Sequence, residues 1–135
     1  MDVQELDPAH RERAVALWVD AGLTRPWNDP LGDFDRAVRG PASAVLGLLE
    51  SGEVVATAMV GHDGHRGWVY YLCVASSHQG QGVGARLMDA SEQWLRERGA
   101  VKVQVMVRRA NAPVAGFYER IGYEPSDVTV LARWL

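Results

Sequence analysis

Cysteine is almost absent from this chain: Cys73 stands alone among 135 residues. No internal disulfide can form, and a reducing, cytoplasmic setting is the default expectation. Missing too is any apolar run of membrane-spanning length, so no membrane partner is expected. Neither sign of charge is in large excess. Fourteen Lys and Arg stand against seventeen Asp and Glu, a formal net charge of −3. That balance gives no general attraction to nucleic acid or to an anionic bilayer. The opening Met1-Asp2-Val3-Gln4-Glu5 is acidic and polar, unlike a secretory leader. No repeat, low-complexity tract or linker is visible, and one domain over residues 1–135 is expected. Hydrophobic residues make up 47% of the chain and charged ones 23%, enough for a soluble domain with a proper core.

Periodicity and turn chemistry set the expected order of elements. A short strand near Val3 to Leu6 leads to Asp7-Pro8, an N-cap and N1 pair. The helix it opens has Ala14, Leu17, Trp18 and Ala21 on its apolar face. Gly22 to Gly32 reads as a proline-bearing loop, and Asp33 as the cap of a short helix to Arg39. Strands follow at Ala44–Glu50 and Glu53–Gly61 about a Ser51-Gly52 turn, with a second hairpin turn at Asp63-Gly64. Trp68 to Val74 is aromatic and β-branched, hence a strand. Leu87, Met88, Ser91, Trp94 and Leu95 recur at helical spacing, and Gly99 closes that helix. A strand is expected over Val101–Val107 and a helix from Ala112 to Ile121, ended by Gly122. Two short strands, around Tyr123 and from Val128 to Trp134, complete the reading. An antiparallel meander that switches to parallel βαβ pairing is an α+β fold.

Between the Trp68 strand and the helix after it lies Gln79-Gly80-Gln81-Gly82-Val83-Gly84. Glycines let the backbone approach a ligand closely, and the first N–H groups of a helix have no partner within it. With the helix dipole, such a turn suits a phosphate. A nucleotide P-loop requires Lys-Ser or Lys-Thr after its last glycine, and Ala85-Arg86 follows here. A dinucleotide fingerprint is matched literally by Gly80-x-Gly82-x-x-Ala85, but it belongs to a first βαβ turn with an acid about 20 residues on. Here half the chain precedes the loop and the next strand ends in Arg108-Arg109. The third candidate is the pyrophosphate of coenzyme A. A plain strand-to-helix connection is the competing structural reading.

Gln79-x-x-Gly82-x-Gly84 resembles the Arg/Gln-x-x-Gly-x-Gly/Ala signature of the GNAT (Gcn5-related) N-acetyltransferases. The run Asn111 to Tyr123, with Phe117-Tyr118 and Gly122-Tyr123, resembles the second signature of that family. The likeness is best over Val54–Tyr123. The segments Leu23–Pro30 and Asp63–Gly67 are similar to a small bacterial subgroup typified by YpeA. The resemblance implies a GNAT fold: a mixed, mostly antiparallel sheet of six to seven strands, splayed at a central parallel pair and flanked by about four helices. It implies an acetyl-CoA-dependent N-acetyltransferase, with acetyl-CoA as co-substrate, no metal, and an acceptor that is a small-molecule or protein amine. Monomer and homodimer both stay open. The alternative is a non-catalytic acyl-CoA-binding regulatory module.

Thioester aminolysis requires a neutral amine, a polarised carbonyl and a proton for the departing thiolate. By resemblance, the backbone of Gln79, Gly80, Gln81, Gly82, Val83, Gly84 and Ala85 holds the pyrophosphate. Backbone groups of Leu72, Cys73 and Val74 pair with the pantetheine arm, while Asn111 and Phe117 join the cofactor site. Tyr118 carries over as the general acid, a role open to a phenol that stays protonated at neutral pH. Tyr118 also has core spacing, and Asn111 is an ordinary N-cap before Ala112-Pro113. The Glu that many relatives carry on the strand before the loop has no counterpart between Trp68 and Val74. Asp63, His65 and Tyr70 are the substitutes, although Asp63-Gly64 is also what a hairpin turn requires. Cys73, within an apolar strand, reads as a small buried hydrophobe rather than a nucleophile. Trp27, Asn28 and Asp29, between two prolines, are the expected acceptor wall, with a core plug and a turn as the alternative. Arg86, Arg108 and Arg109 are candidates for the 3′-phosphate.

Overall fold

A computed structural model describes residues 2–135 and divides into two compact units, one ending at Val105 and one running from Met106 to Leu135. The larger unit is a five-stranded sheet in the order β1-β2-β3-β4-β5. It comprises β1 (Val3–Glu5), β2 (Ser43–Glu50), β3 (Glu53–His62), β4 (Gly67–Val74) and β5 (Val103–Val105), with α1 (Arg11–Asp20), α2 (Pro30–Arg39) and α3 (Val83–Arg96). The first four strands pair antiparallel, and β4 and β5 pair parallel. The smaller unit contains α4 (Ala112–Arg120).

Alternation along the strands sorts the core into two faces. Val45 of β2 and Cys73 of β4 join Leu6, Ala14, Val15, Trp18, Phe34 and Ala37 in one buried cluster with α1 and α2. Val60 and Val69, directly opposite each other on β3 and β4, belong to the other face, where α3 packs. Leu87, Met88 and Leu95 of α3 are fully or almost fully buried. Burying a side chain of this size stabilises by roughly 1.5–3 kcal/mol. Two glycines of the strands admit a close apolar neighbour: a Cβ at Gly47 would lie 2.7 Å from Leu6 and one at Gly67 2.5 Å from Leu95.

The local signals near the N-terminus act as read, with exceptions. Asp7 accepts a hydrogen bond from the Ala9 N–H at 2.8 Å, and His10 Nδ1 accepts one from the Asp7 N–H at 3.1 Å. That capping box opens a 3₁₀ turn at Pro8–His10, from which α1 continues. Val15, not Ala21, completes the buried stripe of α1. Asp29 rather than Asp33 caps α2, accepting from the Gly32 N–H at 3.1 Å, with Pro30 in the first turn. The Pro-flanked Asp29 satisfies the first-turn donors before Asp33 is reached.

The expected six to seven strands are five. The strand expected over Val101–Val107 is reduced to Val103–Val105, and no strand forms around Tyr123 or from Val128 to Trp134. β-branched composition marks segments able to form a strand, but the ladder needs a partner. Here local bonds take that place: the Tyr123 N–H donates to the Tyr118 carbonyl at 2.9 Å, and the Val128 N–H to Ser126 at 2.9 Å.

Candidate active site

The turn between β4 and α3 is built by main chain. The Ala75 N–H donates to the Val55 carbonyl at 2.8 Å, so the chain leaves the sheet still tied to β3. A 3₁₀ turn at Ser76–His78 follows, with the His78 ring bonded to the Glu50 carboxylate and to Ser77 Oγ. The Gln79 amide donates back to the Val74 carbonyl at 3.2 Å. Gly80 and Gly82 both have φ +76°, a left-handed backbone that disfavours any side chain. A Cβ at either would meet nothing within 4 Å, so backbone direction, not crowding, asks for glycine.

Gly82 is the N-cap of α3 and offers no side-chain cap. The first backbone bond of the helix runs from the Arg86 N–H to the Gly82 carbonyl at 3.1 Å. The N–H groups of Val83, Gly84 and Ala85 precede it and have no partner within the helix. They lie at the positive end of the helix dipole, beside exposed Gly80, Gln81 and Gly82. Chemically this is a receptor for an anion with several oxygens.

β4 carries a feature that the sequence reading did not anticipate. Tyr70 pairs with Met59 but Cys73 pairs with Thr57, so β4 has one residue more than β3 between those points. The extra residue is a bulge at Tyr71, which has φ +50°. It changes the parity of the strand. Val69 faces α3, whereas Tyr71 stacks on Trp18 of α1 with ring centroids 4.0 Å apart and Cys73 joins the α1–α2 cluster. Thr57 is fully buried beside it. Its hydroxyl accepts from Trp18 Nε1 at 2.8 Å and donates to the Tyr71 carbonyl at 2.9 Å. The Tyr71 hydroxyl donates to Asp33 Oδ2 at 2.9 Å. Burial and the Asp33 carboxylate push the Tyr71 phenol up to about 12. The parallel ladder pairs Gly67, Trp68 and Val69 with Val103, Gln104 and Val105, and so ends just before the bulge. The doubled aromatic Tyr70-Tyr71, which interrupts in–out alternation, was the available sequence signal.

The hairpin residues are closely engaged. Asp63 Oδ1 accepts from the N–H groups of His65 at 2.8 Å and Arg66 at 2.7 Å, and Oδ2 from Trp68 Nε1 at 3.1 Å. These donors draw its carboxyl down to about 2, a value at which it is a poor proton acceptor. His65 is exposed in the same turn. Tyr70 is half-exposed on β4, and burial with the nearby Asp63 charge raises its phenol. The Asn28 N–H donates to the Arg25 carbonyl at 3.0 Å, which makes a turn, and Trp27 is 56% exposed rather than a core plug. Burial lifts the Cys73 thiol to about 11, away from the thiolate a nucleophile needs.

In the smaller unit, Asn111 holds the N-cap position of α4 without a side-chain capping bond, leaving its amide uncommitted to the helix. Its carbonyl accepts from the Ala115 N–H at 3.2 Å. Tyr118 is the buried residue of α4, with Phe117 edge-on at 5.1 Å and Tyr123 at 5.5 Å between centroids. Burial pushes its phenol up to about 12, so it holds its proton throughout the physiological range.

A mixed sheet with a short parallel pair, a bulged strand and a glycine turn into a helix define an α+β domain with a main-chain anion receptor beside its parallel edge. Residues 5–123 match the acetyltransferase (GNAT) family, and the chain belongs to that family. Solved structures agree on the fold. An aminoglycoside N-acetyltransferase, AAC(6′)-Iy, in complex with the bisubstrate analogue CoA-S-monomethyl-acetylneamine is 15% identical with a TM-score of 0.84, over 99% of this chain and 97% of that one. A ribosomal-protein-alanine N-acetyltransferase from Brucella melitensis is 20% identical with a TM-score of 0.78, over 98% of each chain. A transcriptional regulator from Bacillus halodurans is 18% identical with a TM-score of 0.82, also over 98% of each.

Proposed function

We propose that this chain is one acetyltransferase domain that moves the acetyl group of acetyl-CoA directly to a primary amine. The observation that carries the reading is the turn at Gly80 and Gly82, whose left-handed glycines leave the Val83, Gly84 and Ala85 N–H groups ahead of the first bond of α3. The non-bridging oxygens of a pyrophosphate suit such a row of three donors. Family membership makes coenzyme A the pyrophosphate of choice over a dinucleotide. Leu72, Cys73 and Val74 lie on β4 beyond the end of the parallel ladder, where their backbone can pair with the pantetheine arm as a strand would.

In the transfer, the amine nitrogen forms a bond to the thioester carbonyl carbon and the carbon–sulfur bond breaks. The amine gives up a proton and the thiolate receives one. Tyr118 is assigned the second proton, on the strength of the family signature around it and of a phenol that stays protonated. Asp63 is assigned to the hairpin, because three donors already occupy it. His65 and Tyr70 are left as candidates to relay the amine proton through water. Exposed Trp27, with Asn28 and the Asp29 carboxylate beside it, forms the acceptor wall for a cationic amine. Small-molecule amines are supported by the aminoglycoside N-acetyltransferase, and protein amines by the ribosomal-protein-alanine enzyme, in both cases through fold alone.

Thiol release from acetyl-CoA, followed across a panel of amines and peptides, tests the reading. The expected result is acceptor-dependent release that falls sharply in Tyr118→Phe. Tight acetyl-CoA binding without turnover on any acceptor would favour the non-catalytic regulatory module.

A further inference from the structure

Among the described residues two that are not glycine have left-handed backbone, Ser51 and Tyr71, both at φ +50°. Ser51 lies in the exposed Ser51-Gly52 hairpin turn, which demands that conformation. Tyr71 lies at the bulge of β4, away from any hairpin turn. A residue in a sparsely populated conformation persists only when its surroundings over-determine it. Three contacts do so here. The ring is stacked on Trp18, the hydroxyl is bonded to Asp33, and the carbonyl is bonded to Thr57. Two of the three hold the side chain. The third is directional, because it fixes the orientation of the peptide unit itself.

That peptide is trans, as are all others among the described residues. In a trans peptide the carbonyl and the following N–H point in opposite directions. Holding the Tyr71 carbonyl on the Thr57 hydroxyl therefore turns the Leu72 N–H away from that hydroxyl. It does so where the β4–β5 ladder has just ended. Thr57 itself cannot rotate freely, since its oxygen also accepts from the indole of fully buried Trp18. We infer that Thr57 is a positioning residue of the transfer site: through the Tyr71 carbonyl it fixes the direction in which the Leu72 amide is presented to the acyl-CoA arm. The inference rests on the acetyl-CoA reading above. Thr57 touches no substrate atom and acts only through the main chain of its neighbour. Its hydroxyl links the indole of Trp18 on α1 to the peptide that carries the Leu72 donor on β4.

The test uses the full chain, labelled with 15N and titrated with acetyl-CoA, together with steady-state kinetics on an amine the wild type accepts. Thr57→Val keeps the shape and removes both hydrogen bonds. Its expected behaviour is retained binding, read from shifts of the Gly80–Ala85 amides, with loss of the binding-induced shift at Leu72. Its kcat falls roughly ten- to hundredfold, the scale of a small misplacement of a reacting group, while KM for acetyl-CoA changes little. Thr57→Ser restores both bonds and returns kcat towards wild type. Ser91→Ala is the control for loss of a buried hydroxyl as such: Ser91 is fully buried and donates to Leu87 at 2.8 Å within α3. It lowers thermal stability and leaves kcat unchanged. If Thr57→Val does not fold, Thr57→Cys, a poor donor of similar size, takes its place with the same readouts. Wild-type kcat and an intact Leu72 shift in the Val or Cys variant overturn the inference and leave the acetyl-CoA reading standing. No amide shift anywhere in wild type on titration brings down both.

Discussion

Tyr118 and Asp63 are perturbed in opposite directions by different causes, and each has its own pH signature. Burial raises the Tyr118 phenol to about 12 and keeps it an acid. In the assigned role, Tyr118→Phe lowers kcat by about a hundredfold or more, the usual contribution of a positioned proton donor. Wild-type kcat should show no alkaline fall from this residue below about pH 11, because the neutral form is the active one; a pH–rate profile of both proteins checks this. Asp63 is the reverse case. Its folded carboxyl is held at about 2, below its ordinary value of 3.8, by the Arg66 and His65 N–H groups and Trp68 Nε1. A depressed pKa stabilises the fold above the unfolded value and loses that contribution as pH falls through the folded one. Asp63→Ala should therefore melt earlier than wild type at pH 7, with the gap closing between about pH 4 and pH 2. Melting curves across that range decide it. A gap that persists at pH 2 would mean that the carboxylate charge is not what the turn uses. The roles of these residues were legible to different degrees. Asp63-Gly64 announces a turn in the sequence, and the turn is what consumes the carboxylate. The triple grip on Tyr71 was not legible, because Trp18, Asp33 and Thr57 are brought to it by α1, α2 and β3, and no local pattern joins them.

Elements show why glycine and proline were good guides and β-propensity a poorer one. Gly82 must be left-handed for the chain to enter α3, so Gly82→Ala costs roughly 1–2 kcal/mol of stability through backbone strain. In open space it creates no clash. It should also weaken acetyl-CoA binding, because the donors of the turn are re-aimed. Gly47→Ala is its counterpart. Its added methyl would meet Leu6 at 2.7 Å, destabilising by roughly 1–3 kcal/mol through overpacking while leaving acetyl-CoA affinity unchanged. Denaturation and calorimetry on the two variants separate a functional glycine from a packing one. Asp29 allows a similar separation on α2. Asn caps a helix as well as Asp does, so Asp29→Asn keeps the stability that Asp29→Ala loses, about 1 kcal/mol. Any rise in KM for a cationic acceptor in Asp29→Asn then reports recognition of charge alone. An unchanged KM removes Asp29 from the acceptor wall. The misplaced Asp33 cap has the same origin as the missed Tyr71 grip. In sequence Asp33 reads as a cap and Asp29 as part of the acceptor loop, and only the fold shows that Asp33 is bonded to a tyrosine on β4. The absent C-terminal strands teach a further point. Val128 and Val130 have the right residue type and are exposed at 67% and 59%. Propensity without a partner strand gives no ladder.

The whole molecule couples ligand binding to stability, and that coupling distinguishes the candidate ligands without knowledge of the acceptor. A ligand that binds only the folded chain stabilises it by RT ln(1 + [L]/Kd), about 2.7 kcal/mol at a hundredfold excess over Kd. For a chain of this length that is a rise in Tm on the order of 10 °C. The donors in the turn are main-chain N–H groups on a rigid helix start, so the rise should require the pyrophosphate and not the acyl group. Coenzyme A and acetyl-CoA should both produce it, and the pantetheine fragment alone should produce little. A phosphorylated nicotinamide dinucleotide also carries a pyrophosphate and meets the glycine spacing of the turn, but it has no arm to pair along β4. It should shift Tm far less than coenzyme A at equal concentration. With net charge −3 there is no large cationic field to draw anions in general. The coenzyme A effect should therefore survive 0.15 M salt, where surface attraction beyond about 8 Å is screened. Equal shifts from the dinucleotide and coenzyme A would place the recognition in the phosphates alone and remove the bulged edge of β4 from the site. No shift from either would remove the turn.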